Sequence, residues 1–177
     1  MYCKFPFLLL IPCAFGLSAC PFAPAIPEEE DPPNLPPLIS PDFLEPNSDE
    51  VTLPRDGEPL SFRVSQLLDR NQDDKLEARW YSSQTPGDGV LAEAILQPDP
   101  TNTDLYQDLF TRYTGTQYSL DPCDGQWPQG EDRFTLTLFV ADGDLLIING
   151  QAVVAEGVFV DRYTWVLNFT GRCPEDR

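Results

Sequence analysis

Leu60, Phe62 and Val64 alternate with Ser61, Arg63 and Ser65, and after an acidic turn Leu76, Ala78 and Trp80 alternate with Glu77, Arg79 and Tyr81. A period of two puts the apolar set on one face of an extended strand. Residues 60–81 therefore predict strand, turn, strand, each with one face toward a core. Further along, Phe134, Leu136, Leu138 and Val140 alternate with Thr135, Thr137 and Phe139, and Tyr163, Trp165, Leu167 and Phe169 line one face of a last long strand. Asp142-Gly143 and Asn149-Gly150 are hairpin signals between them, so this region predicts a meander. Residues 145–148, LLII, break the alternation. Such a run fits a strand buried on both faces or one paired with another chain.

The remaining segments are less regular. Residues 51–53, VTL, form a short strand ended by Pro54 and turned by Asp56-Gly57. Residues 90–97, VLAEAILQ, read as a strand or as two helical turns, bounded by Gly89 and Pro98. Residues 103–113 predict a helix covering one end of the fold. Thr103 caps it, Asp104 sits at the positive end of its dipole, and Leu105, Leu109 and Phe110 share a face, with Gly115 as the stop. The chain has 19 prolines and 11 glycines, a density of breaks that favours short strands over long helices.

The N-terminus reads as an address. Lys4 precedes an apolar run, residues 5–15, and small residues lead to Leu17-Ser18-Ala19-Cys20. The run is too short to cross a bilayer and stay, so it marks a secretory signal. The LSAC ending resembles the bacterial lipobox. That resemblance implies cleavage before Cys20, acylation of Cys20 with several chains, and a membrane-anchored lipoprotein. Pro21, where an aspartate would imply inner-membrane retention, points to the outer membrane. The alternatives are a plain signal with an incidental cysteine, or a core segment. On the lipobox reading, residues 1–19 are signal peptide, residues 20–48 a proline-rich acidic tether carrying the EEED run at 28–31, and residues 49–177 the folded domain. Within the tether, residues 37–41, PLISP, can also serve as an edge strand.

Cysteine usage follows from that address. Cys3 and Cys13 leave with the signal and Cys20 is lipidated, so Cys123 and Cys173 remain as an even pair in an oxidising compartment. They flank the Phe134 and Phe169 strands, and a structural bridge is reasonable if those strands are antiparallel neighbours.

Two segments carry a second resemblance. DRNQDDKLEARW at 69–80 and EDRFTLTLFVADG at 131–143 are similar to the acidic turn and the late strand of bacterial immunoglobulin-like, cadherin-like and PKD-type modules. Trp80 lies where the immunoglobulin fold places its core tryptophan. The resemblance implies a mostly β fold, an immunoglobulin-like antiparallel β-sandwich with the short helix and the one disulfide added.

Charge and chemistry narrow the function classes. The net charge is −18, from 29 acidic and 11 basic residues, and such a surface repels nucleic acid. There is no histidine, the usual base of nucleophilic triads and a common zinc ligand. Asp69, Asn71, Asp73 and Asp74 offer oxygen donors at the alternating spacing calcium takes, with Glu156, Asp142 or Asp161 as partners from other loops. The competing reading is a solvated turn. Trp127, in the polar loop 121–132, is either an exposed indole for a sugar ring or partner protein, or a cover on the core edge. Two carboxylates suffice for glycoside hydrolysis, but no nucleophile elbow, phosphate loop or metalloprotease motif is present. The expectation is a non-catalytic envelope or surface module, tied to the membrane by lipid and binding an envelope protein or polysaccharide. A carbohydrate- or calcium-dependent adhesion module is the alternative, and a glycoside hydrolase the third class.

Overall fold

The computed structural model describes residues 34–71, 75–84, 89–99, 110–125, 127 and 132–174. These residues form β1 (Leu44–Glu45), β2 (Glu50–Pro54), β3 (Leu60–Asp69), β4 (Leu76–Tyr81), β5 (Val90–Leu96), β6 (Thr111–Leu120), β7 (Arg133–Ala141), β8 (Leu145–Ile148), β9 (Gln151–Val154) and β10 (Val160–Thr170). Among the described residues the helical content is one 3-10 turn, Pro41–Phe43. The fold is mostly β.

One sheet has the order β1-β3-β6 and the other β2-β10-β7-β4-β5, with β8 and β9 as a separate two-stranded ribbon. Every pairing is antiparallel except β2 on β10, which is parallel from Glu50 beside Val166 to Pro54 beside Thr170. β3 and β4 lie in different sheets, so the acidic turn between them carries the chain from one layer to the other. The 90–97 segment is a strand, β5. Just past its end, Pro98 bridges Tyr113, and the Thr114 and Asp99 amides donate to the Gln97 and Arg112 carbonyls. That edge joins the two sheets.

The alternation predicted for the four long strands places the core. Phe62 and Val64 from β3, Leu76, Ala78 and Trp80 from β4, Phe134, Leu136, Leu138 and Val140 from β7, and Trp165, Leu167 and Phe169 from β10 are buried in one cluster between the sheets. At its centre Trp80 stacks on Trp165 with ring centroids 5.7 Å apart, and Phe62 meets Trp165 edge-on at 5.4 Å. A buried indole N–H needs an acceptor. Trp80 donates across the core to Thr116 Oγ1 of β6, and Trp165 to the Pro46 carbonyl.

Three expectations are corrected. The helix predicted at 103–113 does not extend to its C-terminal end, because Thr111–Leu120 is strand; residues 103–109 lie outside the described residues. Gly115 stops nothing. It sits mid-strand where β6 crosses β3, and a Cβ there would run into the Val64 carbonyl oxygen. The meander is interrupted as well. β7 pairs directly with β10, and β8–β9 leaves their sheet as a hairpin.

The folded part also starts earlier than residue 49. The Leu38 and Leu68 amide and carbonyl groups exchange hydrogen bonds, Ile39 and Leu44 are buried in the core, and β1 pairs with β3. Residues 34–48, assigned to the tether, belong to the fold, and the edge-strand reading of residues 37–41 fits their one-residue bridge.

Candidate binding surface

The acidic turn is built to hold backbone. Asp69 is buried, and its Oδ1 accepts the Asn71 amide at 3.0 Å. Asn71 Oδ1 in turn accepts the Leu35 amide at 3.2 Å. Asp73 and Asp74 lie outside the described residues. Two of the three carboxylates named as partners from other loops, Asp142 and Asp161, are occupied in the same way. Asp142 accepts the Phe159 amide at 2.7 Å and the Asn34 side-chain amide at 2.9 Å, and Asp161 accepts the Ile39 and Arg162 amides, each at 2.8 Å. Asn71, Asp142 and Asp161 thus clip the segment from Asn34 to Ile39 to the domain. Glu156 is exposed. Among the described residues no three acidic or cysteine side chains converge as a metal-binding group would.

Trp127 is not an exposed platform. It is buried, with its ring edge-on to Phe134 at 5.4 Å and to Phe169 at 5.6 Å. This corrects the reading in which the indole meets a ligand; the ring covers the core edge instead. Nearby, the buried Arg55 lies over the Phe169 ring at 4.9 Å and donates to the Pro122 carbonyl at 3.2 Å. The Cys123–Cys173 disulfide closes the same end, its Cα atoms 5.6 Å apart. β7 and β10 are antiparallel neighbours, as that pairing required. Cys20 lies outside the described residues.

The opposite face of the five-stranded sheet carries a surface that the sequence reading passed over. The β8–β9 hairpin lies across it. Leu145 and Ile147 turn inward and, with Tyr81, Phe139 and Ala141, make a second, smaller core. Leu146 and Ile148 turn outward, at 55% and 52% exposure, beside Val153 at 44%. The LLII run is therefore buried on one face only. Its turn is of the type Asn-Gly favours, with φ of 51° at Asn149 and 75° at Gly150.

Beside the hairpin, β4 and β5 present ionised side chains. The Arg79 guanidinium donates to Glu77 Oε1 at 2.7 and 3.0 Å and pairs with Glu93 at 3.0 Å. Glu77 Oε2 accepts the Leu145 amide at 3.2 Å, which ties the hairpin to the sheet. Glu77, Glu93, Ala94 and Ile95 line a cavity of about 390 Å³. Ile95 is itself 58% exposed. Glu77 and Arg79 occupy the polar phase of β4, and nothing in that alternation marks Glu77 for burial. The burial comes from the β8–β9 hairpin, which leaves the main sheet and covers this face.

No family model, curated protein or solved structure matches the chain.

Proposed function

We propose that this chain is a lipid-anchored protein of the bacterial envelope whose β domain is an immunoglobulin-like sandwich serving as a non-catalytic binding or assembly module. The LSAC ending at Cys20 supports the anchor, and Pro21 favours the outer membrane. With the folded part starting near residue 34, the proline-rich stretch after Cys20 is the tether. The strand sets support the fold reading: β3 and β6 in one sheet, with β4, β7 and β10 in the other, parallel the B–E and C–F–G sets of the immunoglobulin architecture, and Trp80 on β4 fills its core tryptophan position. The chain departs from that architecture in two ways. Its disulfide does not join the sheets through β3 and β7, and the β8–β9 hairpin is inserted before the last strand.

The observation that carries a binding role is the outward apolar face of that hairpin. Leu146, Ile148 and Val153, half of the exposed large hydrophobics among the described residues, stand together on one two-stranded ribbon of a chain with a net charge of −18. A contiguous exposed apolar patch rimmed by polar residues marks an interaction site more often than an isolated exposed leucine does. A photocrosslinking residue at Val153, in cells, tests the role. Recovery of a discrete protein adduct is the expected result. Adducts with wall polymer alone would replace assembly by polysaccharide binding, and no adduct at all would overturn the role. The anchor is tested separately. Cys20→Ala should leave the precursor unprocessed by the lipoprotein peptidase, and unchanged processing would refute lipidation.

A further inference from the structure

We propose that β8 receives an extended segment of a second protein as an added strand, with a lysine or arginine of that segment seated against Glu77 and Glu93. This rests on the reading of the hairpin as a docking surface and names the partner's chemistry. The hairpin turn sets which backbone groups are free. A two-residue loop of this type makes the residues flanking it a hydrogen-bonded pair. Ile148 is opposite Gln151 and Leu146 opposite Val153, so these pairs bond to each other, while Leu145 and Ile147 direct their amides and carbonyls away from β9. The Leu145 amide confirms the direction, because it points to Glu77. Among the described residues β8 pairs only with β9. Leu145 thus meets the Glu77 wall of the cavity that Glu93 and Ile95 also line, and the Ile147 backbone follows it on the same edge of β8.

An added strand offers main-chain bonds for affinity and alternate side chains for specificity. Here its two faces meet different surroundings. Side chains pointing toward the sheet enter the cavity, where two carboxylates share one guanidinium, that of Arg79, and an excess of negative charge remains. Side chains pointing outward lie beside Leu146 and Ile148. Asp144 adds a further carboxylate at the start of β8, with Lys75 3.8 Å away. The surface therefore fits a segment that alternates basic and apolar residues. A second copy of this chain is a poor occupant, because each copy carries a net charge of −18.

The probe is a blocked peptide of alternating valine and lysine, with a valine–glutamate peptide as control. Binding is followed by fluorescence anisotropy at about 150 mM salt, where long-range attraction to an acidic surface is largely screened. Hydrogen exchange of the Ile147 amide is followed alongside. The valine–lysine peptide should bind, slow exchange at Ile147, and lose about tenfold in affinity to the Leu146→Gln, Ile148→Gln double variant, which keeps the charge unchanged. Equal affinity for both proteins, no slowing at Ile147 in the wild-type chain, or equal binding of the control peptide would overturn the proposal. If the peptide fails while the Val153 crosslink still recovers a protein, the docking role stands and the strand-addition mode falls. If that crosslink recovers nothing, the role itself falls.

Discussion

Gly115 separates a residue's local propensity from its place in the fold. Glycine ends helices and also stands where two backbones approach closely, and the sequence around it supports either use. The deciding fact is the neighbouring strand. A Cβ would collide with the Val64 carbonyl and lie 2.7 Å from the Ser65 carbonyl group. Backbone cannot yield as a flexible side chain does, so Gly115→Ala is expected to destabilise by about 1–3 kcal/mol or more in urea denaturation. Gly125, with nothing within 4 Å of its added Cβ, is the control, and Gly125→Ala should stay within about 0.5 kcal/mol of wild type. A second expectation concerns Tyr163. Burial, then the hydrogen bond to Asp49 at 3.0 Å and the Asp49 charge, raise its phenol above the ordinary 10.0. The unfolded chain then ionises first. Stability from the neutral phenol is complete below about pH 10 and is lost as pH rises through the higher folded-state value. Tyrosinate absorbance should show Tyr163 titrating late, and Asp49→Asn should bring it back toward the ordinary value.

At the scale of the element, the long strands were legible because period two is a geometric property of the extended chain and needs no knowledge of partners. β3, β4, β7 and β10 bury the apolar phases that their sequences marked, except that Leu60 and Tyr163, each first in its phase, are only partly covered. Pairing was less legible. β3 and β4 follow one another through a turn yet belong to different sheets, and nothing in a turn rich in aspartate distinguishes a hairpin from a crossing between layers. Burial of LLII on both faces fails for a related reason: a four-residue strand with no polar phase has no internal sign of which face is covered, and here only the small core under Leu145 and Ile147 decides it. The disulfide is an element-scale constraint that the sequence did place. It closes a separation of 50 residues, worth about 4 kcal/mol on the chain-entropy account. Reduction under native conditions should lower the melting temperature accordingly, and a Cys123→Ser, Cys173→Ser variant should reproduce the shift and no longer respond to reductant.

For the whole molecule, composition pointed to the class of fold, but the limits of the domain were out of its reach. A proline-rich, acidic segment reads as tether because it cannot build a core of its own. Residues 34–48 do not need to. They borrow one, through Leu38 on Leu68, Ile39 in the main cluster, and acceptors supplied by Asn71, Asp142 and Asp161 more than thirty residues away in sequence. Two of the carboxylates named as calcium partners, Asp142 and Asp161, hold the incoming chain in this way. The candidate surface was the least legible part, since it depends on a hairpin leaving its sheet and bringing Leu146 and Ile148 beside Glu77 and Glu93, residues far apart in sequence.

The parallel pairing of β2 with β10 has a mechanical consequence. β2 lies near the start of the folded chain and β10 near its end, and the two run side by side in the same direction over five residue pairs. Pulling the chain ends apart first loads the contacts of residues 34–45 and then draws β2 backward and β10 forward along their shared line. The load then falls on all the bonds of that ladder at once, in shear, instead of peeling them one after another from an edge. A domain with such a ladder transmits tension applied at its ends while its sheets stay closed.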